Sequence, residues 1–184
     1  MWSHTVAILM GGKSKRMGTP KHEVLLSTGK TMMESMLDFA SSTAVNKVIV
    51  GGDIEGQRCI HDRRQGLGPV GGLEALLMSN IDDRYLVVGC DMPLLKTETV
   101  QPLFVSGDAV IFSGKEKDDF PSSLPLVISS DCKHACGAYL DSGGRSLHGF
   151  LRELSTTVIK RPKGIEQQLS SINTPEQLDN CAFE

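Results

Sequence analysis

The chain has 184 residues, 40% of them hydrophobic and 22% charged, with a formal net charge of −3; this suits one globular domain with a sizeable core and excludes disordered and fibrous classes. The longest apolar run, residues 6–10, is far short of the ~20 residues of a membrane span, and no basic stretch precedes it as in a secretory leader. The acidic balance argues against a nucleic-acid groove, and five irregularly spaced cysteines argue against a disulfide framework and for a reducing cytoplasm.

Residues 5–10 (TVAILM), closed by Gly11-Gly12, predict a buried strand. A polar loop follows to residue 22. Residues 31–44 carry Met33, Met36, Leu37 and Ala40 at helical spacing, with Thr31 and Glu34 as a capping box. KVIV (47–50) before Gly51-Gly52 predicts a second strand, and 71–80 a helix with Leu73, Leu76 and Leu77 on one face. YLVV (85–88) predicts a third strand, ending at Gly89-Cys90-Asp91. A helix over 97–105, a strand over 109–112, a strand over 124–128, helices over 131–141 and 146–154, and a strand over 157–160 follow. Thr174 and Pro175 open a last helix as N-cap and first residue. No linker, repeat or low-complexity segment divides the chain, so one domain over 1–184 is expected. Short apolar strands alternating with helices predict an α/β fold with a parallel sheet covered on both faces. Ligands of such sheets bind beyond the carboxyl ends of the strands. Three polar features follow directly after strands there: residues 11–21, Gly51-Gly52-Asp53, and Asp91.

Charge and glycine are concentrated. Lys13, Lys15, Arg16 and Lys21 lie in the first 22 residues, which hold no acid, and eleven of 19 glycines fall within residues 11–72. A small positive cluster in an acidic protein suits a small anion, and glycines let backbone N–H groups face it. The loop LMGGKSKRMGTPK (9–21) is therefore the main candidate site, with a solvated basic loop as its duller reading. Ala7 to Ser14 mimic a Walker A motif with alanine for its first glycine. A true P-loop would end the strand before Ala7 and discard Ile8, Leu9 and Met10, its most apolar residues. No G-x-G-x-x-G fingerprint is present.

Asp91, at the end of a buried strand, is placed to hold Mg²⁺, which takes one or two carboxylates plus substrate phosphates; its duller reading is a cap on the turn before Pro93. Asp62, followed by Gly66-Leu67-Gly68-Pro69-Val70-Gly71-Gly72, offers a side-chain-poor turn suited to a flat ring, or simply a tight strand-to-helix connection. Cys132, His134 and Cys136 look metal-like but lack further ligands, so core cysteines and a surface histidine are expected, with Cys90 structural as well.

Together these motifs resemble the molybdenum cofactor guanylyltransferases, which make molybdopterin guanine dinucleotide. The family pattern L-x-G-G-x-S-x-R-M-G-x-x-K is matched by residues 9–21, D-x-x-x-x-x-G-P-x-x-G by Asp62, Gly68, Pro69 and Gly71, and C-D-M-P by residues 90–93. Leu124-Pro125, Gly144-Arg145-Ser146 and the N-T-P-E at 173–176 are also similar. The resemblance implies a Rossmann-like nucleotidyltransferase fold with a mostly parallel sheet and helices on both faces. It implies GTP as donor, molybdopterin or molybdenum cofactor as acceptor, Mg²⁺ as cofactor, and no nucleic-acid or membrane partner. Homo-oligomers and cofactor-delivery proteins are compatible with it.

By the resemblance, the backbone of Leu9, Met10 and Gly11 contacts guanine, and Gly12 leaves room for the purine. Ser14 and Gly18 belong to the same nucleotide loop, and Arg16 and Lys21 hold the triphosphate. Asp62, with Gly68 and Pro69, helps select base or ribose, and Asp91 binds the metal. Asn173 and Arg145 are the candidate acceptor-binding residues. The chain departs from the pattern at Gly51, where some relatives carry asparagine and Asp53 is the candidate substitute, and at Ser171, where a second asparagine is common. The implied reaction is in-line attack of the acceptor phosphate on the α-phosphorus of GTP, releasing pyrophosphate. A phosphate monoester with a second pKa near ~6 is already ionised at neutral pH, so no general base is expected. The rival readings are a related transferase using CTP or another phosphorylated acceptor, a P-loop NTPase relying on Lys13, and a non-catalytic GTP sensor.

Overall fold

The computed structural model describes residues 4–10, 20–114, 122–179 and 181. Its centre is a seven-stranded sheet in the order β3-β2-β1-β4-β6-β5-β7. The strands are β1 (Thr5–Leu9), β2 (Lys47–Val50), β3 (Cys59–Ile60), β4 (Arg84–Gly89), β5 (Ala109–Phe112), β6 (Leu126–Ser129) and β7 (Thr156–Ile159). The pairs β1–β2, β1–β4, β2–β3 and β5–β7 are parallel. Only β6 runs against its neighbours, β4 and β5.

The central strands are apolar throughout because both faces are covered. In β1, Ala7 and Leu9 face one core and Val6 and Ile8 the other. The first core is filled by α2 (Gly68–Leu77), α4 (Lys133–Asp141) and α5 (Leu147–Glu153). The second is filled by α1 (Met32–Thr43) and α3 (Thr97–Val100). A small third cluster joins Val24, Leu26, Met32 and Ile172 under α6 (Pro175–Asp179).

Helix α1 begins as its sequence signals: Glu34 N–H donates to Thr31 Oγ1 at 3.1 Å, and Thr31 N–H to Glu34 Oε2 at 2.6 Å. Helix α2 starts at Gly68, three residues before the expected position, because Pro69 at its first turn has a pre-set φ and no N–H to satisfy. The expected helix over 97–105 is short: α3 gives way at Gln101–Leu103 to a 3₁₀ turn containing Pro102, which removes a helix donor. Strand β6 starts at Leu126, after Pro125, which has no N–H for a ladder.

Strand order reverses at β1: β2 lies on one side and β4 on the other. The carboxyl ends of these three strands therefore frame a crevice at a topological switch point. Ala7 sits inside β1, paired with Val48 and Val87. The strand runs on to Leu9, so the Walker A spacing lies across a strand interior and a P-loop is excluded.

Candidate functional site at the carboxyl edge

Backbone ties hold the three strand ends level. Met10 N–H donates to Val50 C=O at 2.8 Å, Cys90 N–H to Leu9 C=O at 3.1 Å, and Gly51 N–H to Ile60 C=O at 2.9 Å. Gly51 lies at φ +84°, and a Cβ there would stand 3.2 Å from the Met10 carbonyl oxygen. A Cβ at Gly52 would stand 2.9 Å from Met10 Sδ. The glycine pair thus lets the end of β1 pack directly against the end of β2.

Lys21 opens a 3₁₀ turn, Lys21–Glu23, and reaches the end of β4. Its Nζ donates to Asp91 Oδ2 at 2.7 Å and to Asn173 Oδ1 at 2.5 Å. The Lys21 and Asp91 side chains are only 15% and 20% exposed. A charge-assisted bond this sheltered weighs more than an exposed surface pair. The Asp91 backbone is fixed as well, its carbonyl accepting from Ile172 N–H at 2.8 Å. A Cβ at Gly89 would stand 2.5 Å from Asp91 Oδ1, so only glycine lets that carboxylate fold back over its own strand. Ser35 Oγ on α1 donates to Pro93 C=O at 3.0 Å and braces the same turn.

Asp62 lies beyond β3. Its carboxylate packs against glycines: Cβ atoms at Gly72, Gly71 and Gly51 would fall 3.3, 3.7 and 3.8 Å from its oxygens. Burial pushes its pKa above the ordinary aspartate value, against a smaller opposing effect of His61. The loop carrying Asp62 is clamped by Arg64. Arg64 Nε donates to Glu74 Oε2 at 3.1 Å and Nη2 to Glu74 Oε1, while Nη1 donates to Asp141 Oδ1 at 2.5 Å. Glu74 is buried inside α2. The clamp therefore joins the Asp62 loop to α2 and α4 at once.

The structure thus brings Lys21, Asp91 and Asn173 into direct contact and sets Met10 and Asp62 around the same strand ends. Gly68 begins α2 at φ +64°, followed by Pro69, with the Arg145 carbonyl oxygen 3.6 Å from where its Cβ would be. The Arg145 guanidinium donates to Leu140 and Gly144 carbonyls at 2.9 and 2.6 Å, closing the end of α4. Asp53, 82% exposed at its side chain, pairs with His61 Nε2 at 3.3 Å. Gly11, Gly12, Ser14, Arg16 and Gly18 lie outside the described residues.

Burial pushes the thiols of Cys90, Cys132 and Cys136 up to about 12, 11 and 12, with neighbouring carboxylates adding to it. Cys132 and Cys136 belong to the first core and His134 is exposed, the packing arrangement expected of them. Sequence reasoning missed Ile172, Gln177 and the Arg64 clamp. The spacing Thr174-x-x-Gln177, that of a capping box, is a signal that could have found Gln177. Nothing local marks the other two.

The model of the MobA-like NTP transferase domain family matches residues 6–158. Among curated relatives, a protein of Halalkalibacterium halodurans described as a probable molybdenum cofactor guanylyltransferase is 30% identical and is covered over 93% of both chains. One of Pelotomaculum thermopropionicum with the same description is 26% identical, over 97% of this chain and 91% of its own. Among solved structures, molybdopterin-guanine dinucleotide biosynthesis protein A of Archaeoglobus fulgidus aligns with a TM-score of 0.79 at 26% identity, covering 95% of each chain. A 2-C-methyl-D-erythritol 4-phosphate cytidylyltransferase of Thermus thermophilus shares the fold at a TM-score of 0.73 and 13% identity.

Proposed function

Because this chain belongs to the MobA-like NTP transferase domain family, we propose that it transfers GMP from GTP to the terminal phosphate of molybdopterin, releasing pyrophosphate and forming molybdopterin guanine dinucleotide. The observation that carries the reading is the meeting of Lys21, Asp91 and Asn173 at the carboxyl edge of β4, where an α/β sheet with this switch point takes its ligand.

The donor set suits magnesium. An Asp91 carboxylate and an Asn173 carboxamide already converge on one cation, the Lys21 ammonium. Hard oxygen donors in this small number leave room for phosphate and water, the shell Mg²⁺ prefers. Asp91 would hold the ion, with the Asn173 oxygen beside it. A bound Mg²⁺ supplies neutralisation of charge on the phosphates.

The remaining work belongs to the chain. The backbone of Leu9, Met10 and Gly11 would contact guanine, with Gly12 leaving room for the purine. Lys21 and Arg16 offset the charge that builds on the leaving pyrophosphate. Asp62, half-buried among glycines, accepts hydrogen bonds from base or ribose. Asn173, against Lys21, is the candidate acceptor contact, whereas the Arg145 guanidinium is engaged by the Leu140 and Gly144 carbonyls and would have to leave them to reach the acceptor. The acceptor phosphate is ionised at neutral pH (second pKa ~6), so catalysis reduces to alignment and charge.

The test is pyrophosphate release from GTP with Mg²⁺, with and without molybdopterin, beside CTP and ATP. Acceptor-dependent release from GTP alone is expected. Release from CTP alone would overturn the base assignment. Orthophosphate, or GTP binding without product, would overturn transfer itself.

A further inference from the structure

Lys21 is joined to Asn173 across the chain, but the Asn173 backbone sits in an exposed segment with no strand or long helix to hold it. Two of its contacts orient the side chain. Asn173 Nδ2 donates to the Ser171 carbonyl at 3.2 Å, leaving Oδ1 to accept from Lys21. The neighbouring Ile172 is buried against Val24, Leu26 and Met32, and its N–H is tied to the Asp91 carbonyl.

The third contact comes from α6. Gln177 N–H donates to Thr174 Oγ1 at 3.3 Å, as the third residue of a capped helix does. In an ordinary capping box the side chain of that residue returns to the N–H of the cap itself. Here Gln177 Oε1 accepts instead from the N–H of Asn173, one residue earlier, at 2.7 Å. The return bond of the cap is therefore made to the residue that touches Lys21. A continuous path results: Gln177 to the Asn173 backbone, the Asn173 carboxamide to Lys21, and Lys21 to Asp91.

We infer that Gln177 is a positioning residue for the transfer reaction, holding the Asn173 carboxamide against Lys21 and Asp91 through the displaced return bond of the α6 cap. The inference rests on the reading of Lys21, Asp91 and Asn173 as the transfer centre. Gln177 touches no reacting group. It acts by fixing the φ of Asn173, and a misplacement of the carboxamide weakens interactions realised in the transition state.

The experiment is a double-mutant cycle on the full chain, Gln177→Ala and Asn173→Ala, with Gln177→Glu as the conservative variant. The readouts are kcat/KM for GTP well below the melting temperature and hydrogen exchange at the Asn173 amide. Asn173→Ala is expected to lose about a hundredfold, the scale of one transition-state contact. Gln177→Ala is expected to lose about three- to tenfold, the worth of one hydrogen bond, with faster exchange at the Asn173 amide. Gln177→Glu keeps an acceptor oxygen and stays within about twofold of wild type. Once Asn173 is alanine, adding Gln177→Ala changes nothing further, because no carboxamide remains to be placed. A wild-type rate in Gln177→Ala beside a crippled Asn173→Ala overturns the positioning role alone, as does a full additional loss in the double variant. A wild-type rate in Asn173→Ala overturns the transfer centre and the inference with it.

Discussion

Replacing Gly72 with alanine separates what the α2 glycines do for stability from what they do for Asp62. Gly72 is buried in the interior of α2. In an open helix the substitution stabilises by about 1 kcal/mol, since glycine forfeits more backbone entropy. Here the new Cβ would stand 3.0 Å from Val50 Cγ1, 3.3 Å from Asp62 Oδ1 and 3.9 Å from Leu9 Cδ2. Val50 is 1% exposed in β2 and has no room to withdraw, so overpacking costs about 1–3 kcal/mol. The balance is a net loss of about 1 kcal/mol, which for a domain of this size lowers the melting temperature by about 2–4 °C. The atom met on Asp62 is the far end of a half-buried side chain, which yields more easily than Val50. Its carboxylate moves off the glycines, and kcat/KM for GTP should fall more than about tenfold, beyond what a 1 kcal/mol change of stability does to a protein that remains folded. Gly71→Ala is the comparison: its Cβ would meet Leu67 Cβ at 3.0 Å and Asp62 only at 3.7 Å, so its kinetic defect should be smaller. Thermal melts and steady-state pyrophosphate release read both effects. A Gly72→Ala protein that melts higher than wild type and turns over at the normal rate would refute the account.

Asp62→Asn should raise the melting temperature of the ligand-free protein at pH 7 while lowering kcat/KM. Burial raises the Asp62 pKa in the folded state, so ionisation destabilises the fold at neutral pH, and the gain from asparagine should fade as pH falls below the carboxylate range; a gain that grows in acid would contradict this. Single His22→Ala, His61→Ala and His134→Ala variants should stay within about tenfold of wild-type turnover, the low side of general-base effects, because His22 pairs with Glu23, His61 pairs with Asp53 and His134 is exposed; a thousandfold loss at any one would restore a general base. Native protein at pH 8 should show no more than two thiols reacting quickly with a disulfide reagent, Cys59 and Cys181, and five after unfolding, because Cys90, Cys132 and Cys136 are buried with pKa values pushed to about 11–12; rapid labelling of a third would count against the packed cores.

The central sheet was legible because β1, β2, β4 and β5 are apolar runs cut off by glycine or by a change to polar residues. The capping box of α1 was legible from two residues alone. The direction of β6 was not: a strand buried on both faces shows the same apolar run whichever way it points. Strand β3 has two residues, Cys59 and Ile60, too few for any period. Asp91 stood out because it ends a strand and precedes Pro93. The meaning of Gly51, Gly71 and Gly72 was half visible: paired glycines announced a close approach, but that Asp62 is what approaches depends on a strand and a helix meeting in space.

Junctions of that kind are what the sequence conceals, and they govern the site. Lys21 and Asp91 are 70 residues apart, and Lys21 and Asn173 are 152. Each lies in a segment whose local pattern predicts only a loop. Their meeting is decided by the switch point, which sets β1 beside β4, and by the third cluster, where Val24 and Leu26 from the Lys21 side and Ile172 from the Asn173 side share one apolar pocket with Met32. Apolar residues one to five positions from Lys21 and Asn173 thus bring the polar ones together. A change that loosens this small cluster should weaken the contacts of Lys21 while leaving the two main cores, and most of the stability, in place. The same logic explains why Lys21 and Asn173, 152 residues apart, meet at Asp91 just beyond the end of β4. Loops that carry function need a rigid frame, and here Leu9, Gly89 and Asp91 supply it from the sheet while Ile172 and Asn173 close it from the other end of the chain.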